Sequence, residues 1–116
     1  MLAYVRRELQ HETREQFSGL FLDRKNQLIA EEVMSRGTVD HAPVYPREIA
    51  RRALELAASS LILVHNHPSG DTAPSRADID MTREIIDTLI PFEIEAHDHL
   101  IAGTGGVTSF RTAGLI

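Results

Sequence analysis

Four consecutive apolar residues, Leu61-Ile62-Leu63-Val64, stand between an amphipathic stretch and a polar loop rich in His, Pro and Gly. A run of this length fits a central strand covered on both faces. It is far too short to cross a bilayer. The rest of the chain must therefore supply the layers that cover it. Upstream, Ile49, Ala50, Ala53, Leu54 and Ala57 recur at three and four residues, the stripe of a helix that opens at Pro46 and ends at Ser59-Ser60. Downstream, a second helix opens at Ser75, turns Ile79, Ile85, Ile86 and Leu89 inward, and is closed by Pro91. Phe17 to Leu22 and Gln27 to Met34 read as a hairpin around Asp23-Arg24-Lys25-Asn26. Ser35-Arg36-Gly37-Thr38 breaks the second strand, and a loop runs to Tyr45. Phe92 to Ala96 and Asp98 to Ala102 are two short strands or one bent strand. Gly103 to Gly106 is a turn, and Val107 to Phe110 a last strand or half-turn. Met1 to about Glu12 is a terminal helix or arm. Strands and helices alternate, so the expected class is α/β, with a mixed β-sheet flanked by helices.

Composition narrows the function. The 116 residues fit one domain, 1–116, and 42% hydrophobic residues suffice for a core. There is no Cys, which excludes disulfides, Cys-based zinc sites, iron–sulfur clusters and a Cys nucleophile. Aromatic residues are 5% with no Trp, a poor basis for stacking bases. The net charge of −5 opposes bulk attraction to phosphates. The first residues lack the basic-then-apolar order of a signal peptide, so a cytoplasmic protein is expected.

The chemistry concentrates after the apolar strand, in His65-Asn66-His67-Pro68-Ser69-Gly70-Asp71-Thr72-Ala73-Pro74-Ser75-Arg76-Ala77-Asp78. Pro68 keeps His67 extended. Residues i and i+2 of an extended chain point the same way, so the two imidazoles project together from the carboxyl end of a strand. Two imidazoles suit Zn²⁺ or a neighbouring first-row ion. A catalytic zinc wants a third protein ligand and an open position, and Asp78 can be that ligand once the loop turns back. The helix dipole favours an ionised carboxylate in the first turn. Each element also has a plainer reading. His-x-His is commonly a pair of polar residues at a sheet edge, and Ser75-x-x-Asp78 is a sound helix start with Ser75 as N-cap. Their conjunction favours the metal, and one carboxylate has oxygens enough to cap and to ligate.

The pattern His-x-His-Pro, six residues, then Ser-x-x-Asp resembles the signature of the JAMM/MPN⁺ metallopeptidase domain; Pro68 and Ser75 are separated by six residues. The flanks Ser35-Arg36-Gly37-Thr38, Val64 to Asp71 and Asp98-His99-Leu100-Ile101-Ala102-Gly103 resemble the bacterial RadC family over nearly the whole chain. The resemblance implies a cytidine-deaminase-like JAMM/MPN fold, Zn²⁺ held by His65, His67 and Asp78, and Ser75 orienting the attacking water or stabilising the oxyanion. It also implies an upstream Glu as general base. Glu15, about fifty residues before His65, is the first choice; Glu31 and Glu32 on the next strand are rivals, and each is otherwise a solvated surface carboxylate. RadC-like proteins usually carry a helix-hairpin-helix region ahead of this domain. This chain has no room for it and reads as a short form or an excised C-terminal domain.

His97 and His99 form a second His-x-His around Asp98, without a convincing third ligand. A place behind the ligands or in the pocket suits Asp98 or His99 better. His11 and His41 read as surface residues. His65-Asn66-His67 is not the dispersed triad of an HNH nuclease, and Gly103-x-Gly105-Gly106 lacks the strand-to-helix setting of a dinucleotide site. Three functions are in play. One is a zinc-dependent hydrolase with a peptide or protein substrate, cleaving peptide or isopeptide bonds. The second, implied by the resemblance, is a DNA-repair accessory or binding module; acidity and few aromatics argue against direct nucleic-acid binding by this chain. The third is a metal-stabilised binding module without turnover, disfavoured because a structural zinc takes four protein ligands and the signature offers three.

Overall fold

A computed structural model describes residues 15–37, 44–68 and 70–116. The elements are β1 (Gln16–Leu22), β2 (Leu28–Arg36), α1 (Pro46–Glu55), β3 (Ser60–Asn66), α2 (Arg76–Leu89), a 3₁₀ turn (Ile90–Phe92), β4 (Glu95–Gly103) and β5 (Gly106–Ser109). The five strands form one sheet in the order β2-β1-β3-β4-β5. β3 and β4 are parallel, joined across α2, and the other three pairings are antiparallel. The fold is the expected α/β mixed sheet flanked by helices, consistent with the JAB/MPN architecture.

Alternation along the strands divides the core. Phe17, Phe21, Leu61 and Leu63 face one way and meet Ile49, Ala50 and Ala53 of α1 and Ile85 and Leu89 of α2 in one cluster. Leu20, Val64, Leu100 and Ala102 form a second cluster on the opposite face. β3 is the middle strand and is almost wholly buried, as its apolar run requires. Its last residues, His65 and Asn66, are 1% exposed, so polar side chains there need internal partners.

Several boundaries differ from the periodicity. α1 stops at Glu55, and Leu54 is 49% exposed rather than part of the inner stripe. The cause is a Schellman turn: Ala58 N–H bonds the Ala53 carbonyl, Ala57 N–H bonds that of Leu54, and Ala57 sits at φ +53°. β2 continues through Ser35 and Arg36, which pair with Phe17 and Gln16 past a bulge. Pro91 does end α2, but Phe92 belongs to the 3₁₀ turn, so the following segment is a single strand from Glu95. The expected Asp23–Asn26 turn is present. Asn26 takes φ +60°, and the Asp23 carboxylate accepts from Lys25 and Gln27 N–H. Met1 to Glu12, including His11, and His41 lie outside the described residues, as do Thr38 and the loop start after it.

Candidate metal centre

β3 ends at Asn66, and the chain stays extended for one more residue: His67 N–H bonds the Ala102 carbonyl, continuing the pairing with β4. Because both histidines are extended, their rings converge. His65 Nε2 and His67 Nε2 are 3.0 Å apart. The loop after Pro68 then returns α2 to the histidines. Gly70 turns it at φ +88°, and Thr108 Oγ1 donates to Thr72 Oγ1 at 2.9 Å, tying the loop to β5. The fit is close. A Cβ at Gly103 would come within 2.7 Å of the Gly70 carbonyl oxygen, so β4 needs glycine there.

α2 opens with a reciprocal cap. Ser75 Oγ accepts from Asp78 N–H at 3.0 Å, and Asp78 Oδ2 accepts from Ser75 N–H at 2.9 Å. The same carboxylate faces the histidines. Its Oδ1 lies 3.4 Å from His65 Nε2, and its Oδ2 lies 3.2 Å from His67 Nε2. Capping and facing the imidazoles thus coexist in one side chain. Burial pushes the Asp78 carboxyl up, but hydrogen bonds from His65, His67 and the Ser75 N–H outweigh it and hold it far below the usual carboxylate range. In return, the Asp78 hydrogen bond raises His67 above its ordinary value.

Glu15 arrives from the other side of the sheet centre. Phe17 pairs with His65 in the antiparallel β1–β3 ladder. One pleat further along, Glu15 comes opposite His67 on the same face. Two hydrogen bonds fix the entry to β1: Gln16 N–H to the Asn66 side-chain Oδ1 and Gly37 N–H to the Glu15 carbonyl. Glu15 Oε1 is 3.5 Å from His65 Nε2, and the side chain is 13% exposed.

Glu15, His65, His67 and Asp78 each offer a ligand atom, and all four atoms lie within 4.8 Å of one another. The two Nε2 atoms are 3.0 Å apart, and the two Asp78 oxygens lie one at 3.4 Å from His65 and the other at 3.2 Å from His67. A tetrahedral ion with ligands at about 2.0–2.1 Å has edges of about 3.3 Å. Two imidazole nitrogens with a carboxylate also match the ligand preference of small first-row divalent ions. The residues present fit such an ion.

Glu31 and Glu32 are not brought to this group. Glu32 accepts two hydrogen bonds from Arg52 Nε, at 2.7 and 2.8 Å, and Glu31 is exposed on edge strand β2. Ser75 is at the rim, exposed, with its Oγ beside Asp78. Of the second His-x-His, His97 bonds Asn26 Oδ1 far from the group, and Asp98 accepts from Ser109 Oγ, His99 N–H and Arg111 N–H. His99 is fully buried, and its Nε2 lies 2.8 Å from His65 Nδ1. Thr82, absent from the sequence reading, contacts His99 Nδ1 at 2.6 Å. A signal for it exists: positions 78, 82, 85 and 89 follow one face of α2, and Thr82 is the neutral polar member among apolar ones.

The pattern of residues 1–115 matches that of the RadC-like JAB domain. The chain belongs to this family. JAB domains are often metallohydrolases, and in this RadC-like JAB domain a candidate metal cluster is present at the carboxyl end of the central strand. Among its described residues, no helix is long and apolar enough to cross a membrane.

Proposed function

We propose that this RadC-like JAB domain is a zinc-dependent hydrolase of peptide or isopeptide bonds, with a peptide or protein substrate. The observation that carries the reading is the convergence of two imidazole Nε2 atoms and the Asp78 carboxylate, with the Glu15 carboxylate beside them. His65, His67 and Asp78 would hold the ion. When bound, it supplies a Lewis acid that brings the pKa of a water down to about 7. Glu15 would take a proton from the attacking water and hand it to the leaving amine. Ser75 Oγ already accepts from Asp78 N–H, which leaves its own O–H to donate to the developing oxyanion. With an ion held there, Asp78 would stay ionised because the cation favours the carboxylate and the Ser75 N–H still donates to its Oδ2. The net charge of −5 makes duplex DNA a poor partner for this domain.

One observation favours a second reading. Glu15 is close enough to be a fourth ligand, which would make a closed, structural site without turnover. Glu15→Gln separates the two. As general base, Glu15 is dispensable for metal, so the variant keeps its zinc and loses hydrolysis by about 10²- to 10⁴-fold. The measurement is zinc content alongside cleavage of a peptide and isopeptide panel, with a chelated control. A wild type that cleaves nothing, together with a Glu15→Gln variant that loses its zinc, supports the closed site and defeats the hydrolase.

A further inference from the structure

Behind His65 runs a chain of hydrogen bonds that neither the ligands nor the general base account for. His65 Nδ1 contacts His99 Nε2 at 2.8 Å, and His99 Nδ1 contacts Thr82 Oγ1 at 2.6 Å. Thr82 Oγ1 donates to the Asp78 carbonyl at 2.7 Å. The chain therefore leaves one candidate ligand and ends on the backbone of the residue that provides another. Its members are buried: His65 and Thr82 are 1% exposed and His99 is 0% exposed. Phe110 stacks on the His99 ring at 4.3 Å, and Phe17 stacks on His65 at 5.6 Å.

With an ion on His65 Nε2, the direction of each bond follows from donor counting. A threonine hydroxyl has one proton, and here it goes to the Asp78 carbonyl. Thr82 Oγ1 must then accept from His99 Nδ1–H. A neutral imidazole has one N–H, so His99 Nε2 is an acceptor and His65 Nδ1–H donates to it. His65 Nε2 is left with a lone pair aimed at His67 and Asp78. Only this arrangement lets His65 ligate through Nε2. His67 is fixed separately, because its Nδ1–H donates to the Asp71 carbonyl at 2.8 Å.

We propose that His99 and Thr82 are positioning residues, whose bonds select the metal-binding tautomer of His65 and couple it to Asp78. This rests on the metal reading above. Without the Thr82 hydroxyl, a bound ion leaves His99 either with a buried, unpaired Nδ1–H or with its Nε2–H against His65 Nδ1–H. The metal-free protein escapes both by moving the proton: His99 Nε2–H donates to His65 Nδ1, and His65 Nε2–H faces the carboxylates. The penalty therefore falls on metal binding rather than on folding.

Thr82→Val keeps the shape and removes the hydroxyl; Thr82→Ser keeps the hydroxyl. Zinc affinity of the full chain is measured by competition with a chromophoric chelator, with melts of the metal-free proteins alongside. The expected result is a loss of about 10- to 100-fold for Thr82→Val, near wild-type affinity for Thr82→Ser, and similar metal-free melts. Long-range ¹H–¹⁵N correlations on the zinc-loaded wild type should show His99 protonated at Nδ1, a readout that holds even if Thr82→Val does not fold. Equal zinc affinity in Thr82→Val, or His99 protonated at Nε2 in the loaded wild type, overturns the proposal. A wild type that takes no zinc removes the metal reading itself, an outcome distinct from an unaffected Thr82 variant.

Discussion

Asp78 joins three jobs in one side chain: it caps α2, favours the charged form of His67, and faces the centre of the candidate site. The first two give the metal-free protein a definite pH dependence. His67 is raised in the folded state, so its contribution is complete below about pH 6.5, the unfolded value, and disappears as pH rises through the raised one. Asp78 is depressed, so its contribution is present above about pH 4 and persists far into acid. Both act together between those limits, and only the His67 part is lost on the alkaline side. Thermal melts in chelator should therefore show higher stability at pH 6 than at pH 9, and His67→Ala should shrink the gap. A gap of the same size in His67→Ala would refute the assignment. Zinc reverses the sign, because the His67 proton must leave before the nitrogen can ligate.

The end of α1 shows what a helix does when its cap residue is not the preferred one. Ala57 holds φ +53° at the position where glycine is favoured, and a side chain there carries strain. Ala57 is exposed, so nothing is gained in packing. Ala57→Gly should stabilise the fold by about 1 kcal/mol, read as a shift in urea midpoint at unchanged slope. A destabilised variant would mean that the lost chain stiffness outweighs the relieved strain. The same turn explains where the sequence could be read and where it could not. His65, His67 and Asp78 were legible because their placement is local: a strand pleat sets the first two, and a helix cap sets the third. Choosing Glu15 over Glu32 depends on the β1–β3 register and on the Arg52 ion pair, neither of which has a local signature. Leu54 and Ala57 misled because the 3.6-residue stripe carries on past the point where an alanine turns the chain. Thr82 was missed because its importance lies in partners from β4 and β3.

Across the whole molecule, the candidate site ties the middle strand to the second helix. His65 ends β3, His67 follows it, and Asp78 stands in the first turn of α2. An ion on these three residues binds only the folded arrangement. At a free zinc concentration 100-fold above Kd, it should add about 2.7 kcal/mol. Zinc-loaded protein should melt well above the same protein in chelator, with the difference growing with free zinc. A melting point indifferent to zinc would mean that these three residues do not hold it. The sheet order has one more consequence, for the chain as it is made. β1 lies second in the sheet, paired on both sides, and Phe17 to Leu22 are all buried. Synthesis delivers β1 and β2 first, and β3, which covers the other side of β1, only after α1 has been added. In that interval the hairpin exposes an apolar strand with unpaired backbone groups, a surface open to other nascent chains. The finished edge at β2 carries Glu31, Glu32 and Arg36, but the edge of β1 has no such charges of its own. Its protection from aggregation is β3 itself, the strand that also carries His65.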